Sequence, residues 1–163
     1  MDIKSQTVCD HIVGNPPTAY IIDFCPRCLG KGYYGGFAIL SSGNLQTLSP
    51  SDSLIQAIQK ILTENTRPTG YGFNQSLLTG VIDASKIQAV KNEVARCLNY
   101  LKFIQTQETL RGFQYNPQEK ISKISNITVV KNTQDPRGVN VTVTVVTVSA
   151  TSISTPLITL GAL

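Results

Sequence analysis

Val139-Asn140-Val141-Thr142-Val143-Thr144-Val145 sets an apolar β-branched residue at every second position, with Asn or Thr between. Successive side chains of a strand point to opposite faces, so the valines are expected to lie on a core and the polar residues to face outward. The strand is expected to run on to Val148. Before it, Asn132-Thr133-Gln134-Asp135-Pro136-Arg137-Gly138 is a run of turn formers, and Ile124 to Lys131 reads as the partner strand of a hairpin. After it comes a polar stretch, Ala150 to Thr155, read as supple chain. Pro156-Leu157-Ile158-Thr159-Leu160 then reads as one more short strand, an apolar end expected to seek a partner.

One face of this hairpin needs a cover, and the preceding sequence supplies two amphipathic helices. Ser49-Pro50-Ser51-Asp52 is a helix start: Ser49 can cap free N–H groups, Pro50 suits the first helical position and Asp52 suits the positive end of the dipole. Leu54, Ile55, Ile58, Ile61 and Leu62 then recur at three and four residues, which predicts a helix from Pro50 to Leu62 with one buried face. Pro68, Gly70 and Gly72 end it in a loop. Asp83 or Ser85 can cap a second, longer helix with the stripe Ile87, Val90, Val94, Leu98, Leu101 and Ile104. Cys97 lies beside that stripe and reads as a small buried thiol. The fold class predicted is α+β, two main helices packed on a small, mostly antiparallel sheet.

Residues 1–48 have a different character and are expected to form a separate extension, a cysteine knuckle followed by a hairpin, ahead of a main domain at 49–163. Cys25-Pro26-Arg27-Cys28-Leu29-Gly30-Lys31-Gly32 carries the strongest chemical signal in the chain. A gap of two residues lets both thiolates reach one tetrahedral metal ion, and the glycines let the backbone fold around the sulfurs and donate to them. Cys9 and His11 can complete a Cys3His set, so one structural zinc ion is expected on Cys9, His11, Cys25 and Cys28. The knuckle resembles the cysteine-glycine repeat of J-domain co-chaperones; that family uses several such repeats and this chain has one, so chaperone function does not carry over.

Composition narrows the function classes. Of 163 residues 15% are charged, against about 25% in typical soluble domains, and such a weakly charged polar surface suits lasting protein contacts. The net charge of +4 is spread over isolated lysines, so there is no basic arm of the kind that gains from counterion release on nucleic acid. No run of about 20 apolar residues suggests a membrane span, and the N-terminus lacks a signal peptide's apolar core, so the protein is expected in the cytosol, where cysteines stay reduced. One histidine and ten scattered acids are a poor supply for acid–base catalysis. The glycines at 30–36 follow a cysteine knuckle, whereas a phosphate loop sits between a strand and a helix.

From Ser49 onward the order of features resembles the baseplate wedge and sheath-initiator family of contractile phage tails, with relatives in type VI secretion baseplates. The residues that carry the likeness are the helix Asp52 to Leu62, then Thr63, Glu64, Arg67 and Pro68, the step Tyr71-Gly72-Phe73, Leu77 and Leu78, the long helix and the late strand pair. It covers about 115 of the 163 residues. Departures are the separation of Glu64 from Arg67 by Asn65 and Thr66, a shortened loop, and residues 1–48, which small members of the family lack.

The resemblance implies a structural protein of the virion, assembled in the host cytoplasm, in six copies around the tail axis. It implies baseplate wedge proteins and the tail sheath protein as partners, with tail tube or hub proteins as further contacts, and neither nucleic acid nor membrane. By position, Glu64, Arg67 and Pro68 would be the wedge contact, and Val139, Val141, Val143 and Val145 would lie on a strand that templates the sheath. A free strand edge there would offer unpaired backbone groups to a new strand, and proline at Val143 would then block joining more than folding. Two other readings stand beside this one. A free zinc-knuckle adaptor would be found in infected cells but not in particles. A muralytic enzyme needs two carboxylates about 5–9 Å apart, with Glu64, Asp83 and Glu93 the candidates.

Overall fold

The computed structural model describes residues 49–161, and these form an α+β domain of two helices and a four-stranded antiparallel sheet. Helix α1 is Pro50–Thr63, a short 3-10 turn is Gln75–Leu78 and helix α2 is Ala84–Leu110; strands β1 to β4 are Ile121–Lys131, Val139–Thr147, Ser152–Ser154 and Ile158–Leu160. The extension predicted at 1–48, with Cys9, His11, Cys25 and Cys28, lies outside the described residues.

Both helices begin where their capping residues stand. Ser49 Oγ accepts from the Asp52 N–H at 3.2 Å and donates to the Asp52 carboxylate at 2.7 Å. The Asp83 carboxylate accepts from Lys86 N–H at 2.8 Å and from the Ser85 hydroxyl at 2.9 Å, satisfying first-turn donors that have no intrahelical acceptor. Leu54, Ile58, Ile61 and Leu62 of α1 join Val90, Val94, Cys97, Leu98 and Leu101 of α2 in one buried cluster with Val139, Val141, Val143 and Val145. The expected Ile104 is replaced in that stripe by Gln105, which is 3% exposed while Ile104 is only partly covered.

The central strand is β2. On one side it pairs with β1 from Lys131↔Val139 to Ile121↔Thr147, with two register shifts in the first half of β1. On the other side β3 pairs with Thr144–Val146 and β4 with Val139–Val141. Thr155 fills the gap between them: its N–H donates to Val143 O at 2.9 Å, and its Oγ1 accepts from Val143 N–H at 3.1 Å. One expectation is corrected here and one is met. The polar stretch read as supple chain contains strand β3, because Ser152–Ser154 lies against an edge of β2 whose donors and acceptors it satisfies. The apolar end at Ile158–Leu160 is the further short strand expected, and its partner is β2 of the same chain.

The β1–β2 turn is built as its composition predicts. Asn132 Oδ1 accepts from Gln134 N–H at 2.8 Å, Asp135 Oδ1 accepts from Arg137 N–H at 2.9 Å, and Asn132 N–H donates to Gly138 O at 3.0 Å. Short polar side chains thereby stand in for backbone partners. Among the described residues no helix is long and apolar enough to cross a membrane.

Candidate interaction surfaces

The loop between α1 and the 3-10 turn brings together Glu64, Arg67 and Pro68. Glu64 N–H still donates to Lys60 O at 3.0 Å, which closes α1, and the chain then doubles back: Thr66 N–H donates to Phe73 O at 2.9 Å and Phe73 N–H to Glu64 O at 2.8 Å. Gly70 N–H donates to Arg67 O at 2.8 Å, with Pro68 at the second turn position, where its fixed φ fits. Arg67 Nη2 donates to Glu64 Oε2 at 2.9 Å, and its guanidinium carbon lies 5.8 Å from the Tyr71 ring centre. Arg67 is 63% exposed, so this ion pair is worth well under about 1 kcal/mol to folding. What holds the loop lies elsewhere.

The anchor comes from α2, through Arg96, which the sequence did not single out, and Glu93, named there only as a muralytic candidate. Arg96 Nη1 donates to Gly70 O at 2.7 Å and Nη2 to Gly72 O at 2.6 Å. Glu93 accepts from Arg96 Nε at 2.8 Å and Nη2 at 2.7 Å, and from Asn74 N–H at 2.9 Å. The Arg96 guanidinium, with a smaller contribution from that backbone N–H, holds the Glu93 carboxyl below the usual carboxylate value, so it is ionised at neutral pH. The spacing of Glu93 and Arg96 is an ordinary helical pair in the sequence; nothing there shows that two carbonyls 24 and 26 residues earlier complete it. Cys97 is fully buried and donates to Gly72 O at 3.3 Å, and burial pushes its thiol up to about 11. It is a packing residue with no thiolate to react at neutral pH.

Val139, Val141, Val143 and Val145 are all 0% exposed on the central strand. The expectation that they line a free edge is corrected: β1 takes one side of β2, and β3, Thr155 and β4 take the other. Among the described residues the long edge without a neighbouring strand belongs to β1, which ends the strand order. Asn132 N–H faces Gly138, so by alternation Val130 and Thr128 also face β2, while Ile127, Val129 and Lys131 direct their N–H and C=O groups outward.

The start of β1 is sealed. Gln105 Nε2 donates to Glu119 O at 2.8 Å and its Oε1 accepts from Ile121 N–H at 3.0 Å, while Lys102 Nζ donates to Ser122 O at 2.6 Å. Side chains of α2 thus do for this end what a neighbouring strand would do, and the open part runs from Asn126 to Lys131. The opposite border of the sheet consists of two three-residue strands parted by Pro156, two features that discourage pairing with another chain.

A shallow cleft of about 480 Å3 is lined by Thr109, Phe113, Tyr115, Pro117, Lys120 and Val148 among others, with no carboxylate in its wall. The three carboxylates of the muralytic reading are each engaged: Glu64 with Arg67, Glu93 with Arg96, Asp83 at the start of α2. Among the described residues no three of His, Cys, Asp and Glu converge as metal ligands; the four expected zinc ligands fall outside them. Comparison with family models, with curated proteins and with solved structures finds no match.

Proposed function

We propose that this chain is a structural assembly subunit of a contractile phage tail, a baseplate protein that joins wedge proteins to the first sheath ring. The observation that carries the reading is the outer edge of β1 from Asn126 to Lys131, which no strand among the described residues pairs, on a sheet whose other border is short and interrupted. A sheath strand added there gains backbone hydrogen bonds from Ile127, Val129 and Lys131. The exposed tip of the Glu64–Tyr71 loop is the second contact, with Arg67 offering its remaining N–H donors to an acidic group of a wedge protein. Residues 1–48 add a knuckle in which Cys9, His11, Cys25 and Cys28 hold one structural zinc ion.

Val129→Pro tests the strand-addition reading. Its N–H points away from β2, so proline removes no bond within the sheet but removes a donor from the edge. The variant is expected to keep its circular dichroism spectrum and to enter particles at least about tenfold less than the wild type. Equal incorporation would show that β1 is not the joining edge. Purified virions should contain the wild-type chain; its confinement to infected-cell lysate would favour the zinc-knuckle adaptor instead. Metal analysis of protein purified under reducing conditions should give about one zinc per chain, and less than about 0.2 would rule out the knuckle.

A further inference from the structure

We propose that Arg96 is a positioning residue that presets the Asn65–Phe73 loop for docking before any partner arrives. The inference rests on the reading of this loop as a contact surface and adds the part of the molecule that gives the loop its shape. Asn65, Thr66, Arg67, Pro68 and Thr69 are all exposed, yet the chain behind them is tied at closely spaced points. Gly72 O is the centre: it accepts from Arg96 Nη2 at 2.6 Å, from Thr66 Oγ1 at 3.2 Å and from Cys97 Sγ at 3.3 Å. Arg96 Nη1 takes Gly70 O at the same time.

A planar guanidinium suits this task because its donors are fixed in one plane and can serve two carbonyls and a carboxylate together. Glu93, whose side chain is 13% exposed, fixes the rotation of that plane through two of the donors. Lysine has the charge but not the fork. The physical consequence is that the loop is ordered when the chain folds, so a partner meeting Arg67 and Pro68 does not have to order it. Arg67 and Glu64 present the contact; Arg96 sets where they stand.

Hydrogen exchange on the full chain, read peptide by peptide, tests this without any partner. In Arg96→Lys and Arg96→Met the amides of Thr66 to Asn74 are expected to exchange about tenfold faster or more, while those of β2 and the second half of α2 keep their wild-type rates. Unchanged exchange in the loop, or a parallel rise throughout the domain, would overturn the proposal. Exchanging the pair, Glu93→Arg with Arg96→Glu, separates a positioning fork from a simple ion pair. The charges are kept but the donors no longer face Gly70 and Gly72, so protection should stay lost; its recovery would overturn the proposal. Incorporation into particles is the functional arm. Arg96→Lys should enter at least about tenfold less than the wild type, and full incorporation despite an unprotected loop would refute the positioning role. Should the wild type itself be absent from particles, the docking reading fails, and the exchange result still decides whether Arg96 orders the loop.

Discussion

Val143→Pro is expected to unfold the domain. Val143 is 0% exposed at the middle of β2, its N–H donates to Thr155 Oγ1 at 3.1 Å and its C=O accepts from Thr155 N–H at 2.9 Å. Proline removes the donor and replaces a well-packed side chain by a ring that the central strand cannot accommodate. Loss of about 4 kcal/mol or more is expected, against a total stability of about 5–15 kcal/mol for a domain of this kind. Far-UV circular dichroism and a urea melt measure it. The contrast with Val129→Pro is the sharper test, since both replace a valine of the same hairpin. One N–H is directed into the sheet and the other out of it. A folded Val143→Pro protein would contradict the central place of β2 and return the valines to an edge.

Gly72→Ala is the second large effect. Gly72 has φ +93°, and a Cβ there would lie 2.5 Å from Asn65 O and 2.8 Å from Glu64 O. Both are backbone atoms fixed by the bridge between Asn65 and Phe73, so neither can move without breaking the hydrogen bonds that shape the loop. The clash adds to the strain of a left-handed residue, and a loss of about 3 kcal/mol or more is expected. Gly112 gives an internal control, because it has the same φ of +93° and a Cβ there would meet nothing within 4 Å. Gly112→Ala should therefore cost only about 1–2 kcal/mol, the strain alone. Thermal melts of the two variants measure the difference; equal losses would mean that the close approach to Asn65 is relieved cheaply.

Much of the domain is legible in local chemistry. Ser49 and Asp83 cap the two helices because short acceptors before an apolar stripe serve first-turn N–H groups, and Asn132 to Gly138 turn the chain because their side chains replace backbone partners. The buried face of β2 is likewise readable from its valines. Strand β3 is not, since Ser152-Ile153-Ser154 has no strand signal of its own and is extended because β2 offers it an edge. Nor is the place of Gln105: a polar residue is expected outside, and only the Glu119 and Ile121 backbone groups make its burial favourable.

The candidate surfaces divide in the same way. Glu64, Arg67 and Pro68 can be picked out in the sequence because a loop with a proline turn is local. Arg96 cannot, because the two carbonyls it serves, those of Gly70 and Gly72, lie on another segment. The alternation in Val139 to Val145 determined which face of β2 is buried, a property that each residue's position in the strand carries. Which edge of that strand is free is a matter of what lies beside it, and backbone N–H and C=O groups are the same in every residue but proline, so the alternation of side chains in Val139 to Val145 does not encode it. Only the tertiary structure, by placing β3, Thr155 and β4 along β2 and Gln105 at the start of β1, left Asn126 to Lys131 as the long edge unpaired among the described residues.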